Sequence, residues 1–79
     1  MKDQIIEILE DIVPGVDYET CTALVDERHI GSLDMISLIA ELEDAFDIAV
    51  PAVEVVSANF NSVDAICALV KRLVEEDED

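Results

Sequence analysis

"HIGSLDMISLIAELEDAFDI", residues 29–48, decides most of the fold. From Leu33 onward the apolar residues Met35, Ile36, Ile39, Leu42, Ala45 and Phe46 recur at helical spacing, while Asp34, Glu41, Asp44 and Asp47 turn the other way. The pattern predicts an amphipathic helix that ends near Asp47 and sets Ile36 in the core. Ser32 stands directly before the run, where a serine hydroxyl accepts hydrogen bonds from the first free N–H groups, so Ser32 reads as the helix cap.

Upstream, "KDQIIEILEDIV" (2–13) carries Ile5, Ile6, Leu9, Ile12 and Val13 on one stripe, and Pro14 with Gly15 stops the helix. Residues 16–31 keep no period. They read as a long ordered connection pinned by Tyr18, Leu24, Val25 and Ile30, and connections of this length often carry function.

Downstream, "DIAVP" extends into Pro51, which disfavours helix at Val50. "AVEVVSA" has room for one or two helical turns. Ser62 then caps a last helix whose Val63, Ile66, Cys67, Val70, Leu73 and Val74 share a face, with Lys71 and Arg72 in its final turns, where cations favour the helix dipole. The expected fold class is all-α: a small four-helix bundle of three main helices and one short one. One domain spans residues 1–74, and "EEDED" (75–79) forms an acidic tail.

The composition suits such a bundle. The chain has 79 residues, 52% hydrophobic but only 4% aromatic, so Ile, Leu, Val and Ala must fill the core. Twenty acids face four Lys and Arg, a formal charge of −16. Without residues 75–79, 15 acids still face 4 bases, a net −11, so the acidity belongs to the domain. Such a surface repels phosphate backbones and argues against nucleic acid as a partner. Basic surfaces on proteins are the better match.

No run reaches the roughly 18–20 apolar residues of a membrane span, and "MKDQIIEILED" is too acidic for a secretory signal, so a cytoplasmic protein is expected. Cys21 and Cys67 form no C-x-x-C pair and the chain has one His, so neither a redox motif nor a zinc site is signalled. Two reduced thiols, at least one in the core, are expected. His29 lies three residues before Ser32, but no third group is indicated to orient a Ser–His pair. "ELEDAFDI" lacks the alternating ligands and central Gly of a calcium loop. No catalytic constellation emerges, and the chain does not read as an enzyme.

A serine at a helix entry, reached by a long loop and followed by a helix with acidic outer residues, resembles the acyl carrier proteins. The resemblance runs from the helix closing at Pro14 through Leu24, "GSLDMISLIAELEDAFDIAVP", "AVEVVSANF" and "NSVDAICALVKRL". It implies that a phosphopantetheinyl transferase attaches the 4'-phosphopantetheine arm of coenzyme A to Ser32. The arm's thiol would then hold an acyl or aminoacyl group as a thioester for fatty acid, polyketide or aminoacyl biosynthesis.

The family's recognition helix corresponds to the one after Ser32, so Asp34, Met35, Glu41, Glu43, Asp44 and Asp47 are implied as partner contacts. Those partners are the transferase and the acyl- or aminoacyl-loading and downstream enzymes, with basic docking surfaces. "SANFNSVDAI" resembles free-standing carriers served by adenylating enzymes, D-alanyl carriers included, more than the commonest fatty-acid type. A monomer without a metal is expected.

The family motif usually has Asp where this chain has Gly31. Glycine has a structural reading there, as a residue free to adopt unusual backbone conformations. Its functional reading is poorer docking of the transferase, which keeps a competing function open: an unmodified acidic adaptor with a carrier-like fold.

Overall fold

The computed structural model describes residues 1–77, in the order α1 (Lys2–Ile12), α2 (Ser32–Phe46), a 3-10 turn (Ala52–Glu54), α3 (Ser57–Phe60) and α4 (Val63–Asp77). Three long helices and one short one, with no strand among the described residues, make the all-α bundle expected from the sequence. α1 packs against both α2 and α4, and α3 rests on α4.

The aliphatic residues form one core. Ile5 and Leu9 from α1, Leu24 from the connection, Leu38 and Leu42 from α2, Phe60 from α3 and Ile66 and Leu69 from α4 are all essentially inaccessible. Truncating any of these leucines to Ala costs about 3–5 kcal/mol in a core that cannot collapse around the gap.

The stripe on α2 differs from the expected one. Ile36 is 66% exposed and Ala45 is also exposed, whereas Leu38, off the expected stripe, is fully buried. The core-facing side of α2 carries Met35, Leu38, Ile39, Leu42 and Phe46. Ile36 lies about 160° around the helix from Leu38, at about 100° per residue. Leu69 likewise joins the buried face of α4, while Cys67 and Val74 are only half-buried. Neither cysteine is fully buried, and both are free thiols.

The long connection is tied down at both ends. α1 stops at Val13, whose backbone is extended, and Gly15 takes φ +89°, a conformation that suits glycine. The buried Tyr18 hydroxyl then donates to the carbonyl of Val13, just past the helix end, and shares its proton with the Leu9 carbonyl (3.3 Å), which also accepts Val13 N–H. Leu24 N–H donates to the Asn61 carbonyl at 2.9 Å. The Asn61 side chain accepts from Val25 N–H (3.0 Å) and Asp26 N–H (3.1 Å) and donates to the Asp26 carboxylate. One asparagine between α3 and α4 thus holds the middle of a loop 36 positions earlier in the chain.

Ser62 caps α4 as expected, its Oγ accepting from Ala65 N–H at 3.0 Å. The helix runs on to Asp77, so Lys71 and Arg72 lie in its middle and the last turn holds no base. Arg72 Nη1 pairs instead with Glu54 Oε2 at 2.6 Å, tying the 3-10 turn to α4. Of the acidic tail, residues 75–77 continue α4, and residues 78 and 79 lie outside the described residues.

Candidate functional site

Ser32 is the first residue of α2, and the capping position belongs to Gly31. The expectation that Ser32 caps the helix is therefore corrected: it sits one position too far in, and no side chain caps the first amides. The Asp34 carboxylate instead reaches back to accept Gly31 N–H at 3.0 Å, and the Gly31 carbonyl accepts the first intrahelical bond, from Met35 N–H at 2.9 Å. Ser32 is exposed, with its hydroxyl free of any capping role.

Gly31 has φ −86° and ψ −179°, ordinary extended backbone open to any residue. A Cβ built there would sit 3.5 Å from Asp34 Oδ2, in normal van der Waals contact. The backbone does not demand glycine, so the conformational reading of Gly31 fails. Adding Asp there would bring a second carboxylate close to Asp34.

Beside Ser32 lies an open groove of about 540 Å³. Val25, Ile30 and Met35 line one side and Val55, Val56 and Ser57 the other, with Arg28 as its only charged residue. Arg28 adopts φ +60°, in the left-handed region that most side chains avoid. Of the chain's four Lys and Arg, Lys2 pairs with Asp64 (3.5 Å) and Arg72 with Glu54, whereas Arg28 and Lys71 have no ion pair among the described residues.

The six residues implied as partner contacts divide. Glu41, Asp44 and Asp47 are exposed. Asp34 is half-buried and committed to Gly31 N–H. Glu43 is half-buried too, its Oε2 accepting Val50 N–H at 2.9 Å, so it holds the chain leaving α2. Met35 is half-buried in the groove wall. Asp47 ends α2 at φ 53°, ψ 52°, a left-handed turn that Asp tolerates better than most residues.

The sequence reading missed the apolar rim of the site. Leu33 is 79% exposed and Val53 82%, and Ile36, Val55 and Val56 are also exposed. Exposed apolar residues gathered in one region mark contact surfaces, and of these Val55 and Val56 line the groove with Ser32. "VEVV" after Pro51 was the available signal, since a 3-10 turn too short to bury a face leaves its valines outside.

His29 Nε2 lies 3.7 Å from Glu27 Oε1. Among the described residues no helix is long and apolar enough to cross a membrane.

A family model described as "Phosphopantetheine attachment site" matches residues 22–70, a span that contains Ser32 and every residue of the groove. The chain is also similar over nearly its whole length to proteins named D-alanyl carrier protein. It is 35% identical over 78 residues to the one from Lactococcus lactis subsp. cremoris strain MG1363, covering 96% of this chain and 99% of that protein. It is 37% identical over 79 residues to the one from L. lactis subsp. lactis strain IL1403, with the same coverage. No solved structure matches significantly.

Proposed function

The chain belongs to the phosphopantetheine-attachment family and is a free-standing carrier protein with a covalent 4'-phosphopantetheine cofactor, and from that premise we propose that Ser32 is the attachment residue. The observation that carries the assignment is the placement of Ser32: an exposed hydroxyl without a capping role, at a helix start, beside a groove with a single cation.

The residues present fit the group. First-turn N–H groups and the positive end of the helix dipole favour a phosphodiester on Oγ. Arg28 adds a full positive charge at the same groove, and Val25, Met35, Val55 and Val56 offer an apolar wall to the rest of the arm. The arm ends in a thiol, which carries the cargo as a thioester.

Attachment needs help from outside. Ser32 Oγ displaces the adenosine bisphosphate portion of coenzyme A from the phosphorus bearing pantetheine, and its proton leaves to a base on the phosphopantetheinyl transferase. No catalytic step falls to this chain, whose part is to present Oγ and then to carry cargo between enzymes. The effective concentration of the tethered group at each docked site makes that transport efficient.

Relatives named D-alanyl carrier protein support an amino acid as cargo over a fatty chain. Docking rests on Glu41, Asp44 and Asp47 as a negative fringe for Lys and Arg of loading and downstream enzymes, with Leu33 and Ile36 as the apolar centre. Met35 contributes through the groove wall, and Asp34 and Glu43 act by shaping the two ends of α2. The protein works as a cytoplasmic monomer of one carrier domain, which α4 carries past residue 74 to Asp77.

The competing function, an unmodified acidic adaptor, rests on Gly31 standing where the family usually has Asp. Intact-mass measurement after incubation with coenzyme A and a broad-specificity transferase separates the two. One phosphopantetheinyl group is gained by the native chain and none by Ser32→Ala. No gain on the native chain supports the adaptor, and a gain that survives Ser32→Ala overturns the assignment of Ser32.

A further inference from the structure

Outside the groove, three side chains of different chemistry converge on the loop that leads to Ser32. The thiol of Cys21, a carboxylate oxygen of Glu27 and an imidazole nitrogen of His29 all lie within 4.8 Å of one another. Cys21 is half-buried, and Glu27 and His29 are exposed, so an ion has an open approach. We propose that Cys21, Glu27 and His29 form a binding site for a zinc-like divalent transition-metal ion, with one coordination position left to water.

The donor set favours such an ion over the harder cations. Thiolate and imidazole suit zinc and cobalt, whereas magnesium and calcium take oxygen ligands. Zinc at about 2.0–2.3 Å from nitrogen, oxygen and sulfur fits among donors at this separation after small side-chain rotations. Cys21 loses its thiol proton to solvent on binding, so one thiolate and one carboxylate balance the two charges of the ion and affinity falls with falling pH.

The backbone between the ligands is held in place. Cys21 N–H donates to the Asp17 carbonyl (3.0 Å), Glu27 N–H to the Ala23 carbonyl (2.8 Å) and Arg28 N–H to the Val25 carbonyl (3.0 Å). The Asn61 side chain fixes Val25 and Asp26 between the ligands. Ligands on a turn already closed by hydrogen bonds lose less freedom on binding than the same residues on a free chain. An ion there would cross-link positions 21, 27 and 29, with Arg28 between two of the ligands and Ser32 three residues after the last.

Cobalt(II) tests the site, because a thiolate on cobalt gives an intense near-ultraviolet charge-transfer band that carboxylates and imidazoles alone do not give. Titrating the full reduced chain with cobalt(II) should produce that band at one equivalent, and zinc(II) should abolish it. Cys21→Ser should remove the band, and Glu27→Gln and His29→Gln should each weaken binding by more than about tenfold, at least the loss that changes around a metal's ligands produce.

Cys67→Ser is the control: burial and neighbouring Asp64 push that thiol's pKa up, and its loss should leave the titration unchanged. No charge-transfer band on the native chain, or a band that survives Cys21→Ser, overturns the proposal. Because all three ligands lie at the surface or half-buried, circular dichroism of each variant separates loss of a ligand from loss of the fold. The outcome is independent of whether Ser32 accepts the arm.

Discussion

Asn61→Ala should loosen the loop before Ser32 while leaving the helices in place. The substitution deletes the acceptor for two backbone N–H groups and the donor to Asp26. Val25 is half-buried, so its N–H loses a partner that water replaces poorly, whereas Asp26 is exposed and its N–H is readily hydrated. The backbone carbonyl of residue 61 keeps its bond from Leu24 N–H. One poorly compensated donor plus one hydrated donor amounts to about 1–2 kcal/mol.

For a domain of this size each kcal/mol shifts Tm by about 4–8 °C, so the variant should melt roughly 5–15 °C lower by circular dichroism. Hydrogen exchange gives the local reading: the Val25 amide should exchange roughly tenfold faster, at about 1.4 kcal/mol per factor of ten. Asp26→Ala removes only an exposed side-chain contact and should fall within about 0.5 kcal/mol of the native chain. A Tm within about 2 °C of native for Asn61→Ala, with Val25 exchange unchanged, would refute the argument that this asparagine holds the loop.

Two further tests address the alkaline limit and docking. Burial, with Glu10 next in weight, raises the Tyr18 pKa above its usual value near 10, so the contribution of the neutral hydroxyl is complete below about pH 10 and is lost as pH rises through the raised folded value. Tyr18→Phe should cost about 1 kcal/mol at neutral pH and flatten the fall in Tm above about pH 10, and an unchanged alkaline slope would count against Tyr18 as its source. Reversing charge at Glu41 and Asp44 together should slow loading by a partner enzyme most at low salt, where the Debye length is about 30 Å at 0.01 M, and leave helicity intact; unchanged partner kinetics there would contradict recognition through α2.

The helices were legible because their cause is local. Apolar period placed α1, α2 and α4, Pro14 and Gly15 marked a stop, and Ser62 marked a start, each within a few residues of where the structure has them. Which residues of a helix meet the core was less legible, since that depends on how facing ridges mesh. Ile36 and Leu38 are both strongly apolar, and only the packing of the bundle turns one outward and the other in.

The site was legible in part. Ser32 was marked by its place before a helical run, but the groove beside it joins the connection and α2 to the segment around Val55 and Val56, partners more than twenty positions apart. Arg28 carried no periodic signal, and the cluster of Cys21, Glu27 and His29 follows from turns whose closure depends on Asn61. Glu43 was implied as a partner contact, and nothing local signalled that the extended exit before Pro51 brings Val50 N–H against it.

At the start of α2 the labour is divided between neighbours: Asp34 closes the helix entry, and the Ser32 hydroxyl takes no part in it. Converting that hydroxyl to an ester therefore breaks no bond on which the bundle depends. With the arm on Ser32 as proposed, maturation is uncoupled from folding: the entry to α2 closes through Asp34 whether or not the arm is present.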